Sequence, residues 1–316
     1  MVSFSRDLFV VLIIVLYVSI SFRRRPGEDQ FLSRNADFLF SYRRYPMKHE
    51  ADKAYAALND YYSAHNENDR FSHRYNSVEF ITTKLYIEKY LTPGAKIIEI
   101  GAGSGRYSHH FARMGYEVDA VELVPRNIEL FRENTEAGEN VTVRQGSAVD
   151  LGEFADGSYD ITLLLGPMYH LFTEEDQKRA LSEAVRVTKP GGIIAVSYCM
   201  NEATVMGYGF IKGNIKPRLD DGMIDRSTFK CLSEPEDVFV LWRSEEITEL
   251  TRDLPVKRLG LIGTDTYTNY FRDLISEMDE ETFGIYLDFH LSICERSDLI
   301  GLSHHTLDIL RKDDII

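Results

Sequence analysis

Cysteine is scarce. Cys199, Cys231 and Cys294 are the only three in 316 residues, far apart and without metal-ligand spacing. That excludes a disulfide scaffold and a cysteine zinc site, and reads as reduced thiols in a cytosolic protein. Internal repeats and low-complexity runs are absent, and with them repeat architectures. Positive charge is in deficit, with 36 Lys+Arg against 50 Asp+Glu for a formal net of −14. A surface of that sign repels a phosphate backbone, which disfavours non-specific nucleic-acid binding. What is present is a globular composition, 44% hydrophobic and 12% aromatic. It excludes disorder, and the length fits one large α/β domain with embellishments or two small domains.

The charge is unevenly spread. Residues 1–46 contain seven arginines, no lysine and four acids, a net of +3, which leaves −17 for residues 47–316. Inside this basic leader, Leu8 to Phe22 is a run of 15 uncharged, mostly apolar residues followed by Arg23, Arg24 and Arg25. As a helix it spans roughly 22 Å, short of the roughly 30 Å hydrocarbon core. Three readings compete. A cleaved secretory signal is weakest, because Asp7 offsets Arg6 and no small-x-small site follows. A short signal anchor would keep the bulk of the chain cytoplasmic through the arginine cluster. In the third reading Met47 is the true start and the leader is no part of the natural protein. Any membrane contact is expected only through residues 8–22.

From residue 50 the pattern is helical over 50–64 and 78–91, and then strands and helices alternate. Strands are expected at 96–100, 118–123, 141–145, 161–165 and 193–198, with helices at 107–114, 125–134 and 174–187. Lys189-Pro190-Gly191-Gly192 reads as a helix stop and turn. After Met200 the alternation lapses. It resumes with a helix at 245–253, a strand at 256–262, helices within 269–296 and a last strand at 304–310. Residues 201–244 and 266–300 are the natural lid segments. Strands and helices in alternation imply a parallel sheet covered on both faces, with ligands at the carboxyl ends of its strands.

The strand KIIEI runs directly into Gly101-Ala102-Gly103-Ser104-Gly105 and a helix. Glycines there allow a sharp turn and close approach of a ligand to helix N–H groups. A nicotinamide fingerprint would need glycine at 106, where Arg106 stands, and Glu99 would repel a pyrophosphate while attracting a cationic ligand. Glu122 ends the second strand, where an adenosine ribose offers its hydroxyls. The third strand leads to Gln145-Gly146-Ser147-Ala148 and the fourth to Leu165-Gly166-Pro167-Met168-Tyr169-His170.

On these motifs (EIGAGSG, AVEL, QGSAVDL, YDITLLLGPMYHL and RVTKPGG, in order) the chain resembles class I S-adenosylmethionine-dependent methyltransferases over roughly residues 75–200. The resemblance implies a doubly wound, Rossmann-like seven-stranded sheet of order 3-2-1-4-5-7-6 with the last strand antiparallel, plus N-terminal helices and helical lids. It places Gly101, Ala102, Gly103 and Gly105 around the methionine part of S-adenosylmethionine and Glu99 near its ammonium. It puts Glu122 and Leu123 at the ribose, Gly146, Ser147 and Ala148 at the adenine, and Leu165, Gly166 and Pro167 along the donor pocket. Ser147 departs from the family, where Asp is common.

The activity implied is methyl transfer to a small-molecule acceptor, with S-adenosylhomocysteine as product. An RNA or protein acceptor is disfavoured by the −17 body, and a non-catalytic S-adenosylmethionine-binding regulator by the intact glycine loop and both acids. Tyr169 and His170 are the candidates to touch the acceptor, His170 because its ordinary pKa is near neutrality. Tyr61 and Tyr62 fit either core packing or a cover over the donor. Arg70 and Arg74 are expected to pair with Glu67 or face solvent, ahead of a substrate carboxylate. No metal is expected, because the adjacent pairs His109-His110 and His304-His305 should point in different directions. Trp242, Tyr208, Phe210, Tyr267, Tyr270 and His290 lie in the lid segments. Oligomeric state is not legible.

Overall fold

The computed structural model describes residues 53–70 and 73–314. The leader, its apolar run and the start of the first expected helix lie outside the described residues. A helix α1 covers 53–64 and α2 covers Arg74–Glu88. Then come β1 (Lys96–Ile100), α3 (Arg106–Arg113), β2 (Glu117–Glu122), α4 (Pro125–Asn134), β3 (Val141–Gln145), β4 (Tyr159–Leu164), α5 (Glu174–Val187) and β5 (Thr188–Met200). The second half has α6 (Asn201–Thr204), continued by a π-helical segment Val205–Ile211, then α7 (Ile215–Asp220), β6 (Leu241–Trp242) and α8 (Ser244–Thr251). It closes with β7 (Val256–Gly263), α9 (Arg272–Glu277), α10 (Glu280–Ile293) and β8 (His305–Lys312). Among the described residues no helix is long and apolar enough to cross a membrane.

The strands run β3-β2-β1-β4-β5-β8-β7, and β6 adds two residues alongside the end of β5. β1 to β5 are parallel, while β8 is antiparallel to both β5 and β7. The expected order is therefore present. Its numbers shift by one because β6, too short to show as a pattern, precedes the last two strands.

Side-chain alternation along each strand feeds two apolar layers. Ile98, Ile100, Leu164, Ile194 and Val196 pack on α5 (Ala180, Leu181, Ala184) and on Ile247 of α8. Ile97, Ile161, Leu163, Ala195 and Ile309 pack on α2 (Tyr86, Ile87) and α3 (Tyr107, Phe111). A sheet covered on both faces can expose only its strand ends, which is why the chemistry gathers there.

The expected turn at Lys189–Gly192 takes a different form. β5 begins directly at Thr188, and the register on β4 passes from Tyr159↔Thr188 to Ile161↔Ile193, so the intervening residues bulge outward. The Thr188 hydroxyl donates to the Ala184 carbonyl at 2.6 Å, which locks helix end to strand start without a separate turn.

Candidate active site

The glycine loop leaves β1 with Gly101, Gly103 and Gly105 all in the left-handed region, at φ +76, +56 and +86. At two of them side chains are also barred by close packing. A Cβ on Gly101 would come within 2.6 Å of Pro167 Cδ, and one on Gly105 would come within 2.6 Å of both His109 and Phe131. The loop is pinned from the next strand. Gly101 and Ala102 N–H groups donate to the Val121 carbonyl at 2.8 and 3.1 Å, and Gly103 N–H donates to Glu122 Oε2 at 2.7 Å.

Glu122 is 5% exposed and its other oxygen accepts the Val124 N–H at 2.8 Å. Burial above all raises its pKa, against the pull of these N–H groups. Beside it Asn127 Nδ2 lies 3.4 Å from Glu122 Oε1, while Asn127 Oδ1 is buried without a donor. Glu99 is 1% exposed and accepts both the backbone N–H (2.8 Å) and the hydroxyl (2.5 Å) of Ser108 in α3. Burial pushes its pKa up to about 8, the Ser108 bonds opposing and Glu122 adding to the rise. At the ends of the next strands, Gly146 N–H donates to the Glu122 carbonyl at 3.0 Å and Ala148 is buried. Leu165 is buried as well and accepts the Tyr169 hydroxyl at 2.7 Å.

α1 and the 3-10 turn Glu67–Asp69 lie over this edge. The Tyr62 hydroxyl is 3.2 Å from His170 Nε2, and His170 Nδ1 is 2.8 Å from the Val238 carbonyl. The carbonyl can only accept, so Nδ1 carries the proton and Nε2 accepts from Tyr62. Both ring nitrogens are thus engaged. Burial lowers the His170 pKa to about 4, so the ring is neutral. Burial, with Glu67 second, raises the Tyr62 hydroxyl well above the phenol range.

Beside the loop lies a cavity of about 1320 Å³ whose walls include Tyr61, Tyr62, Glu67, Arg70, Tyr169 and His305. Glu67 also sits against the glycine loop, its Cγ 3.3 Å from where a Gly103 Cβ would be. Arg70 bridges Glu67 (3.4 Å) and Glu79 (2.9 Å).

At the start of β8, Asp265 is 2% exposed and gathers donors. Its Oδ1 accepts from Ser303 Oγ and His304 N, both at 2.7 Å, and from His305 N at 3.2 Å. Its Oδ2 accepts from Asn269 Nδ2 at 2.6 Å and lies 3.1 Å from His305 Nδ1. Burial opposes ionisation of Asp265, but the His305 bond and the two histidine charges hold its pKa down to about 2. For His305 burial is likewise outweighed, by Glu79, Cys199 and Asp265, and its pKa is well above the ordinary value. His304 goes the other way, burial lowering it to about 4.

Residues 98–196 match a family model described as a methyltransferase domain. The chain is similar to the ubiquinone biosynthesis O-methyltransferase of Xanthomonas euvesicatoria pv. vesicatoria, 28% identical over 151 residues, 47% of this chain and 59% of that one. It is similar too to an uncharacterized methyltransferase of Mycobacterium sp. (strain JLS), 35% identical over 108 residues, 34% of this chain and 40% of that one. The chain therefore spans about half the length of these curated relatives. Phosphoethanolamine N-methyltransferase 1 of Haemonchus contortus, solved with phosphoethanolamine and S-adenosylhomocysteine, shares the fold. It gives a TM-score of 0.53 at 15% identity, over 84% of this chain and 50% of that one.

Over residues 98–196 the chain carries a methyltransferase domain.

Within this methyltransferase domain the expected donor residues gather at one edge: the glycine loop, Glu122, and the turns after β3 and β4. Glu99 sits deeper than expected, capping the start of α3. Tyr169 reaches the cavity wall, whereas His170 is enclosed by Tyr62, Val238 and Phe239. The two tyrosines of α1 divide in role. Tyr61 stacks on His65 and meets Phe239 edge-on, and Tyr62 is tied to His170. Arg74 pairs with Glu280. Trp242 is core, its Nε1 donating to the Met168 carbonyl at 2.9 Å. Sequence reasoning missed Glu79 and Asp265, whose surroundings come from segments far apart in the chain, and named Glu67 only as a partner for Arg70, a pair that is present.

His109 and His110 do diverge as expected, to Glu139 and to Glu88. His304 and His305 do not. Their ring centroids are 5.1 Å apart and both line the cavity. Strict alternation of side chains requires extended strand on both residues, and His304 precedes the first residue of β8.

Proposed function

We propose that this chain transfers the methyl group of S-adenosylmethionine to a small molecule held in the cavity beside the glycine loop. The observation that carries the reading is Glu122, a buried carboxylate at the end of β2 tied to Gly103, with the unsatisfied Asn127 oxygen beside it. Two hydroxyls of a ribose are the donors such a pair of acceptors calls for. S-adenosylmethionine when bound supplies a methyl group on a sulfonium centre, open to in-line displacement.

The chain's own contribution is positioning and exclusion of water. The glycine loop and the buried Leu165 and Ala148 shape the donor side. Tyr169 and His170, the expected acceptor contacts, fix the turn after β4 through Leu165 and Tyr62, which makes them positioning residues in this reading. The acceptor side is the cavity itself, larger than the roughly 300–1,000 Å³ common for small-ligand sites. The acidic body supports a small acceptor over a nucleic acid. S-adenosylmethionine is the expected cofactor.

Isothermal calorimetry with S-adenosylhomocysteine tests the reading. Binding of one equivalent is expected, and absence of heat at millimolar ligand with folded protein would overturn it.

A further inference from the structure

We propose that Asp265, His304 and His305 form a binding site for one divalent first-row transition-metal ion facing the cavity. A carboxylate oxygen of Asp265 and one ring nitrogen from each histidine lie within 4.8 Å of one another. Two nitrogens and one oxygen on one side of an ion, with the remaining positions open, are a donor set suited to iron, manganese, cobalt or zinc. Ligands at about 2.0–2.1 Å from such an ion sit about 3 Å apart along an octahedral edge. The Asp265 Oδ2 to His305 Nδ1 separation is 3.1 Å, now spanned by a hydrogen bond whose proton the ion would displace.

A second observation is independent of that geometry. His304 Nδ1 is cut off from water and has no hydrogen-bond partner. A buried ring nitrogen without a partner costs free energy that coordination would recover. The supporting shell is also in place. Asp265 is oriented by Asn269, Ser303 and two backbone N–H groups, the outer contacts that hold a ligating carboxylate. Glu79 Oε2 stands 3.4 Å from His305 Nδ1 and adds negative charge, and the nearby Arg272 is held on Asn269 Oδ1.

The cavity reaches both histidines, so the open positions face the space assigned above to the acceptor. On that assignment, which rests on the proposed function, the acceptor is an oxygen-bearing molecule held through the ion. Metal binding itself does not depend on it.

The test is Co2+ titration of the full-length, tag-free protein after chelator treatment, followed by visible absorption. One equivalent with d–d bands is expected, and His304→Ala and His305→Ala should each weaken it at least tenfold. Thermal melting checks that the variants fold. If His305→Ala does not fold, His304→Ala carries the comparison, since its ring nitrogen holds up nothing. No stoichiometric Co2+ below millimolar concentration, or unchanged affinity in His304→Ala, would overturn the site. S-adenosylhomocysteine calorimetry on the same samples separates the two claims, because loss of donor binding with Co2+ retained strikes only the proposed function.

Discussion

Gly103 N–H donates to Glu122 Oε2 at 2.7 Å, so the tip of one strand holds the loop that leaves its neighbour. Glu122→Gln keeps the size and one acceptor oxygen but removes the charge. S-adenosylhomocysteine affinity should fall about 10- to 100-fold, the value of a charged hydrogen-bond acceptor. Calorimetry reads this directly, and unchanged affinity would show that the ribose does not reach Glu122.

Gly101 faces a double constraint, φ of +76 and Pro167 Cδ at 2.6 Å from a built Cβ. Gly101→Ala should cost about 1–3 kcal/mol of stability by denaturant titration. It should also weaken donor binding, because the loop and the turn after β4 move apart together. An alanine variant as stable as the parent would mean that this contact relaxes freely.

Acid should destabilise the fold through buried neutral histidines. His290 is 0% exposed, bonded to Thr266 and Thr82 at 2.9 Å each, and burial lowers its pKa from 6.5 to about 4. The unfolded chain then takes up the proton first, so stability falls as pH drops from 6.5 to 4. The loss reaches up to roughly 3 kcal/mol for this one group and vanishes above the unfolded value. His170 acts in the same window. Urea midpoints at pH 6.5 and 4.5 should therefore differ, and differ less in His290→Gln. An equal difference in both proteins would rule His290 out.

Arg258 grips Asp308 with two bonds, 2.7 and 2.8 Å, and Asp308 is 0% exposed. Arg258→Met leaves a buried carboxylate alone and should cost about 3–5 kcal/mol. Adding Asp308→Leu should restore most of that loss. A double variant no more stable than the single one would show that the Arg258 methylenes, and not the charge pairing, matter.

The donor half was legible because its signals are local. KIIEI, the three glycines and Glu122 lie within one βαβ unit, and the bounds of β1 to β4 read from apolar runs fall within two residues of those observed, while β5 starts at Thr188 instead of the expected 193. The acceptor half was not. Glu67 and Arg70 are a local pair, but Glu79, Asp265 and His305 meet only because β8 inserts beside β5, and no spacing along the chain announces that. His170 looked reactive because histidine titrates near neutrality, but burial under Tyr62 removes that property. The two histidines at the start of β8 looked divergent under a strand rule that applies to only one of them.

β8, which follows the other described strands in the chain, is hydrogen-bonded on both sides, to β5 and to β7. Until residues 305–312 have left the ribosome, β5 presents an open edge along much of its length, a surface prone to pairing with other chains. The parallel half with the donor loop has all its strands early, while the wall bearing His304 and His305 waits for β8 to be made. Assembly of the two halves is thus ordered in time by where one strand lies in the gene.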